Sequence, residues 1–91
     1  MTGPNGTAVI AKRVDSGTPD TAEIRELARA AGYEVLGECT QRREADPALQ
    51  LGAGKVAELA ELVRETGAET VIFDNRLGPY QTFNLGNELP D

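Results

Sequence analysis

The sequence predicts a small three-layer α/β domain, ordered β-α-β-α-β-α around a short parallel sheet. Three observations predict it. Short runs rich in Val, Ile and Thr alternate with stretches whose apolar residues recur at helical spacing. Glycines stand where the first two helical stretches must end, at Gly32 and Gly67. A chain of 91 residues has room for one domain and no second one. Short β/α alternation of this kind implies parallel strands joined by right-handed crossovers, with helices on the sheet faces.

Residues 1–6 are Met, Thr, Gly, Pro and Asn, which bury little and read as a disordered tail before a domain spanning 7–91. Ala8-Val9-Ile10-Ala11 is an apolar run bounded by Gly6 and Asp15-Ser16-Gly17, so the first strand is expected over residues 7–14. Asp20 with Glu23 three residues later forms a capping-box signal for the first helix. Ile24, Leu27, Ala28 and Ala31 give that helix its apolar stripe, against Glu23, Arg25, Glu26 and Arg29.

Residues 33–40 alternate, with Tyr33, Val35 and Cys39 on one side and Glu34 and Glu38 on the other, as in a partly exposed strand near a sheet edge. Residues 41–54 have no steady period and contain Pro47, which makes them a long connection of the kind that carries function. Val56, Leu59, Ala60 and Val63 form the stripe of a second helix beginning near Lys55. Thr70-Val71-Ile72-Phe73 is the most apolar β-prone run and is expected to be a central strand. Pro79 then opens a third helix through about Glu88. A further strand covering the exposed sheet edge is the ordinary continuation of such a pattern, and its absence before Asp91 predicts a truncated subdomain.

Fifteen acidic against nine basic residues, with no His, give a net charge of −6. A generally basic nucleic-acid-binding surface is thereby excluded, so any RNA contact must be local. Histidine catalysis and His-ligated zinc are absent by composition, and the single Cys39 makes neither an internal disulfide nor a Cys-rich metal site. Cys39 reads as a small buried apolar residue in a reducing compartment. No catalytic residue and no metal ligand is expected. No apolar run reaches the length of a membrane span and no signal peptide is visible, so a cytoplasmic monomer without membrane contact is expected.

Gly52-Ala53-Gly54-Lys55 invites a phosphate-loop reading. That motif needs Gly where Leu49 stands and Ser or Thr where Val56 stands, so no GTPase or ATPase core is expected. Gly52, Gly54 and Ala57, with Asp74 about 20 residues on, also satisfy a dinucleotide fingerprint. Here about ten residues separate strand and first glycine, where the fingerprint wants a tight turn. Gly52, Gly54 and Lys55 are therefore weak candidates for binding ATP or a dinucleotide. The plainer reading is that the glycines permit a close turn and helix approach while Lys55 is solvated. The loops at the carboxyl ends of the strands also carry Arg42, Arg43, Lys55 and Arg76. Two readings stand side by side: these cations form a local phosphate patch, or they pair with Glu44, Asp46 and Asp74 and recognise nothing.

A longer pattern runs through the chain: Glu26-Leu27-Ala28, Ala31-Gly32-Tyr33-Glu34-Val35, Thr40-Gln41-Arg42-Arg43, Pro47, Gly52-x-Gly54-Lys55-Val56-x-Glu58-Leu59 and Val71-Ile72-Phe73-Asp74-x-x-Leu77-x-Pro79-x-Gln81-x-x-Asn84-Leu85. It resembles the N-terminal domain of HflX-type GTPases over residues 8 to 86. The resemblance implies a first α/β subdomain that, in the family, precedes a helical hairpin and a G domain holding GTP and Mg²⁺. It implies no cofactor and no enzymatic activity for this chain. It further implies a translation and stress-response role in which the N-terminal region docks on the large ribosomal subunit and its RNA. On these family positions Gln41, Arg42, Arg43 and Lys55, together with Arg76, are the candidate rRNA contacts. A purely structural remnant is the remaining alternative. Gln50 stands where the family commonly has an aromatic, and Ala53 where Lys or Ser is common, which implies loss of a base-stacking surface worth ~1–3 kcal/mol per base.

Overall fold

A computed structural model describes residues 5–90. The elements are β1 (Gly6–Val14), α1 (Ala22–Ala30), β2 (Tyr33–Arg42), α2 (Ala53–Thr66), β3 (Thr70–Phe73) and α3 (Pro79–Glu88). The three strands form one parallel sheet in the order β2-β1-β3. The predicted element types and their order are those observed.

Strand β1 is the centre of the sheet. Ala8, Val9, Ile10 and Ala11 have no solvent exposure, because both edges are paired and both faces covered. Val9 and Ala11 face α2 and α3, where they join Cys39, Leu51, Val56, Leu59, Val63, Ala68 and Leu85 in the main core. Each large side chain fully buried there contributes about 1.5–3 kcal/mol. The opposite face carries α1. Glu38, which alternates with core-facing Cys39, accepts hydrogen bonds from Thr21 Oγ1 at 2.7 Å and pairs with Arg25 at 3.3 Å.

Several expected details differ. Of the six residues expected as a tail, 1–4 lie outside the described residues. Gly6 opens β1, and Asn5 bonds the end of α1 through Gly32 O at 2.9 Å and Ala31 O. Thr21, not Asp20, is the N-cap of α1 and makes no side-chain cap bond, its hydroxyl being turned to Glu38. Asp20 Oδ1 instead accepts from Ala22 N at 2.9 Å. Of the predicted α1 stripe only Ala28 is buried; Leu27 is 57% exposed and Ala31 lies beyond the helix. Alternation along β2 is broken by a bulge, since Val35 pairs with Ala8 but Gly37 with Val9. Tyr33 and Val35 therefore lie on the opposite face from Cys39, and half-buried Leu36 joins the core.

Strand β3 was expected to be central and is an edge strand among the described residues, with all four residues half-buried. The helix boundaries follow local chemistry more closely. Gly67 ends α2 at φ 69° and Pro79 opens α3, while Val56, Leu59, Ala60 and Val63 are buried as their spacing requires. Among the described residues no helix is long and apolar enough to cross a membrane.

Burial ranks the contributions. Leu59→Ala should destabilise by about 2–5 kcal/mol, since Leu59 is wholly enclosed in the core. Leu27→Ala should change stability by no more than about 0.5 kcal/mol. Urea unfolding of the two variants checks both, and a similar loss in each would place α1 more deeply against the sheet than its exposure indicates.

Candidate functional site

The connections after β1, β2 and β3 meet at the carboxyl edge of the sheet, and β2 runs two residues further than expected. Pairing of Arg13 with Gln41 and of Val14 with Arg42 extends the ladder, and Arg43 N donates to Val14 O at 3.0 Å. Gln41 and Arg42 thus stand on a strand and not on a loop.

The long connection 43–52 is built by its own short-range chemistry. Asp46 and Gln50 exchange both backbone hydrogen bonds, at 3.0 and 2.9 Å. Asp46 Oδ1 accepts from Ala48 N and Leu49 N at 2.8 and 2.9 Å, closing the turn around Pro47. Leu51 then anchors the loop in the core with no exposure. The turn forces Gln50 to φ 68°, a left-handed conformation that costs a non-glycine residue about 1–2 kcal/mol.

Gln50 is retained there by its side chain, which is only 5% exposed as a residue. Its Oε1 accepts from Arg13 Nε at 2.6 Å, and its Nε2 donates to Arg76 O at 3.2 Å and Gln81 Oε1 at 3.3 Å. The position expected to have lost a stacking surface is therefore a buried hub. Gln81 and Asn84, one turn apart on α3, donate to Asp46 O at 2.9 Å and Ala48 O at 3.1 Å. Both belong to the quoted sequence pattern, which gave them no role. Arg13, Asn75 and these carboxamides went unmarked because nothing local identifies a polar residue whose partner lies more than 25 positions away.

The predicted contact residues do not form one group. Gln41 faces inward, its Oε1 accepting from Gly52 N at 2.8 Å. Lys55 pairs with Glu58 at 3.3 Å and, with Glu58, Glu61 and Glu65, lines a groove of about 510 Å³ between β2 and α2. That groove repels phosphate. Cys39 also lines it, and burial pushes the thiol above its ordinary value, against the opposing pull of Lys55, so it is no thiolate nucleophile. Asp74 pairs with Lys12 at 3.0 Å, and Asp46 spends Oδ1 on its own loop.

Six of the nine cations, Lys12, Arg13, Arg25, Arg29, Lys55 and Arg64, have a carboxylate within 4 Å. Among the described residues Arg42, Arg43 and Arg76 are those with no carboxylate partner. All three stand at the carboxyl edge of the sheet. The reading in which they pair with Glu44, Asp46 and Asp74 does not hold.

The residues do not fit a nucleoside triphosphate with Mg²⁺. The Gly52 amide is already satisfied by Gln41, the Arg43 guanidinium lies against Gly52, and Val56 offers no oxygen to a metal. The dinucleotide fingerprint is also misplaced: β2 ends at Arg42, ten positions before Gly52 where the fingerprint wants a tight turn, and Asp74 is engaged by Lys12. A Cβ at Gly52 would come 2.7 Å from Arg43 Nη1, whereas one at Gly54 would meet nothing within 4 Å. Of the two glycines, only Gly52 is required by close approach.

Comparison with known proteins agrees with the pattern. Residues 18–90 match the family described as GTP-binding GTPase N-terminal. The chain is 53% identical over 68 residues to a GTPase HflX of Thermococcus kodakarensis, covering 75% of this chain and 15% of that protein. It is 46% identical over 85 residues to a GTPase HflX of Thermofilum pendens, covering 89% and 20% respectively. With a GTPase HflX of Escherichia coli it shares 42% over 72 residues, covering 78% and 17%. The chain thus spans between 15% and 20% of the length of these relatives.

Gly52→Ala should cost about 1 kcal/mol, because the backbone at φ −65° accepts alanine but the Arg43 guanidinium must move from 2.7 Å and Gln41 Nε2 must give at 3.3 Å. Gly54→Ala should be neutral or stabilise α2 by up to about 1 kcal/mol. Thermal unfolding reads both, and the Arg43 side-chain NMR signal should shift in the first variant alone.

Proposed function

The chain belongs to the GTP-binding GTPase N-terminal family, and from that premise we propose that it is the ribosome-docking part of an HflX-like GTP-binding protein of the cytoplasm. Its partner would be the large ribosomal subunit, met through ribosomal RNA. GTP and Mg²⁺ would be held by a G domain elsewhere in the longer protein, and this domain would contribute placement without chemistry.

One observation carries this reading. In a chain of net charge −6, the three arginines that have no carboxylate partner among the described residues gather at one edge of the sheet. Unpaired guanidinium groups suit phosphate oxygens, which they bind through paired N–H donors. The acidic remainder of the surface would repel RNA everywhere else, so orientation follows from charge placement. Lys55, in its acidic groove, is not among the contacts we propose, and Gln41 acts by holding Gly52.

Two surfaces are left for the rest of the longer protein. Among the described residues the outer edge of β3 is unpaired, and Tyr80 and Phe83 on α3 are 66% and 68% exposed. Both are liabilities in isolation. We place the following strand and the helical hairpin of the longer protein against them.

Binding to purified large subunits should weaken with rising salt, and each of Arg42→Ala, Arg43→Ala and Arg76→Ala should reduce the slope of log affinity against log salt by about one. Slopes unchanged in all three variants would remove the docking reading. A chain extended through the next strand should melt at least about 5 °C higher by calorimetry. An equal melting temperature would show that the β3 edge needs no further pairing.

A further inference from the structure

We propose that Arg13 and Gln50 are positioning residues that hold Arg43 and Arg76 at a preset spacing, so that both arginines engage one RNA strand together. The proposal rests on the docking reading above and deepens it.

The geometry is a closed circuit. Arg13 Nη1 donates to Arg43 O at 2.9 Å, and Arg13 Nε donates to Gln50 Oε1 at 2.6 Å. Gln50 Nε2 continues to Arg76 O at 3.2 Å. The backbone of Arg13 closes the loop, since its N–H donates to Asn75 Oδ1 at 2.7 Å and its carbonyl accepts from Asn75 Nδ2 at 2.9 Å. One residue of the central strand therefore grips the chain at 43, 50 and 75 at once. Arg13 is itself unavailable to a phosphate. Its side chain is 11% exposed and pairs with Asp15 at 2.9 Å.

Three features separate this circuit from ordinary packing. It adds no apolar side chain to the core, which is complete through Leu51, Leu59 and Leu85. Its acceptors include the backbone carbonyls of Arg43 and Arg76, two of the three residues that lack carboxylate partners. It also holds Gln50 at φ 68°, a conformation a free loop would leave. Two arginines whose backbones are held at one spacing engage a polyanion more nearly as a single event, because the second side chain is already within reach when the first contact forms.

Gln50→Gly tests this without breaking the loop, since glycine adopts the same φ while removing all three side-chain links, to Arg13, Arg76 and Gln81. Purified large ribosomal subunits serve as the probe, with Arg43→Ala and Arg76→Ala measured singly and together in each background. In the parent chain the two arginine losses should be strongly non-additive, and in Gln50→Gly they should become additive. Gln50→Gly alone should weaken binding by about tenfold, with a thermal midpoint close to the parent. Gln50→Asn is uncharged, tolerates the left-handed φ and is one carbon too short to span Arg13 and Arg76, so it should weaken binding as Gln50→Gly does. It carries the same comparison if Gln50→Gly does not fold.

Parent-like binding in a folded Gln50 variant, alongside weakened Arg43→Ala and Arg76→Ala, would overturn the positioning proposal and leave docking intact. Parent-like binding in the arginine variants themselves would sink both.

Discussion

The structure depends on one strand being sealed on all four sides. Ala8–Ala11 of β1 pair with β2 on one edge and β3 on the other, with α2 and α3 above and α1 below. Small side chains are what allow it: alternating Ala with Val and Ile lets helices approach both faces without opening voids. The three-residue continuation, Lys12-Arg13-Val14, leaves this enclosure while still paired to β2. Residues that begin as a core strand thus emerge as polar anchors at the sheet edge, with Lys12 bonding Asp74 and Asp20 O, and Arg13 bonding loops 43–52 and 74–78. The rigidity of the edge is inherited from the core through the backbone of one strand.

How far the sequence was readable follows from the range of each interaction. Helix α2 was legible because its stripe, its glycine C-cap and its burial are all decided within a few residues, and α3 because proline fixes its start. The α1 stripe misled, since Leu27 satisfies helical spacing and yet is largely exposed, leaving Ala28 as the buried residue of the helix. The bulge opposite Ala8 and Val9 shifted Tyr33 and Val35 to the other face, and alternation cannot register an inserted residue. Strand β3 looked central because its residues are apolar, although composition reports a strand's hydrophobicity and not its order in the sheet.

At the site the division is sharper. Arg42, Arg43 and Arg76 were visible as cations at strand ends, whereas which cations remain without a carboxylate depends on contacts such as Lys55 with Glu58 and Lys12 with Asp74. Gln50 shows the same limit from the other direction. In the sequence it is a departure from an aromatic, and in three dimensions it joins β1, the long loop and the N-terminal end of α3 through one carboxamide.

The choice of neutral amides for this work has an electrostatic consequence. Gln41, Gln50, Asn75, Gln81 and Asn84 hold the loops with both donors and acceptors, and none brings a charge. A carboxylate at Gln41, Gln50 or Asn75 would still accept from Gly52 N, Arg13 Nε or Arg13 N, but it could not donate to a carbonyl and would bring negative charge to the edge that carries Arg43 and Arg76. Of the nearby carboxylates, Asp46 is engaged by two backbone amides, Asp15 by Arg13 and Asp74 by Lys12, while exposed Glu44 pairs with none of the three arginines among the described residues. Among the described residues of this acidic protein, three arginines are thereby left without carboxylate contact at one edge, above a backbone that neutral amides fix in place.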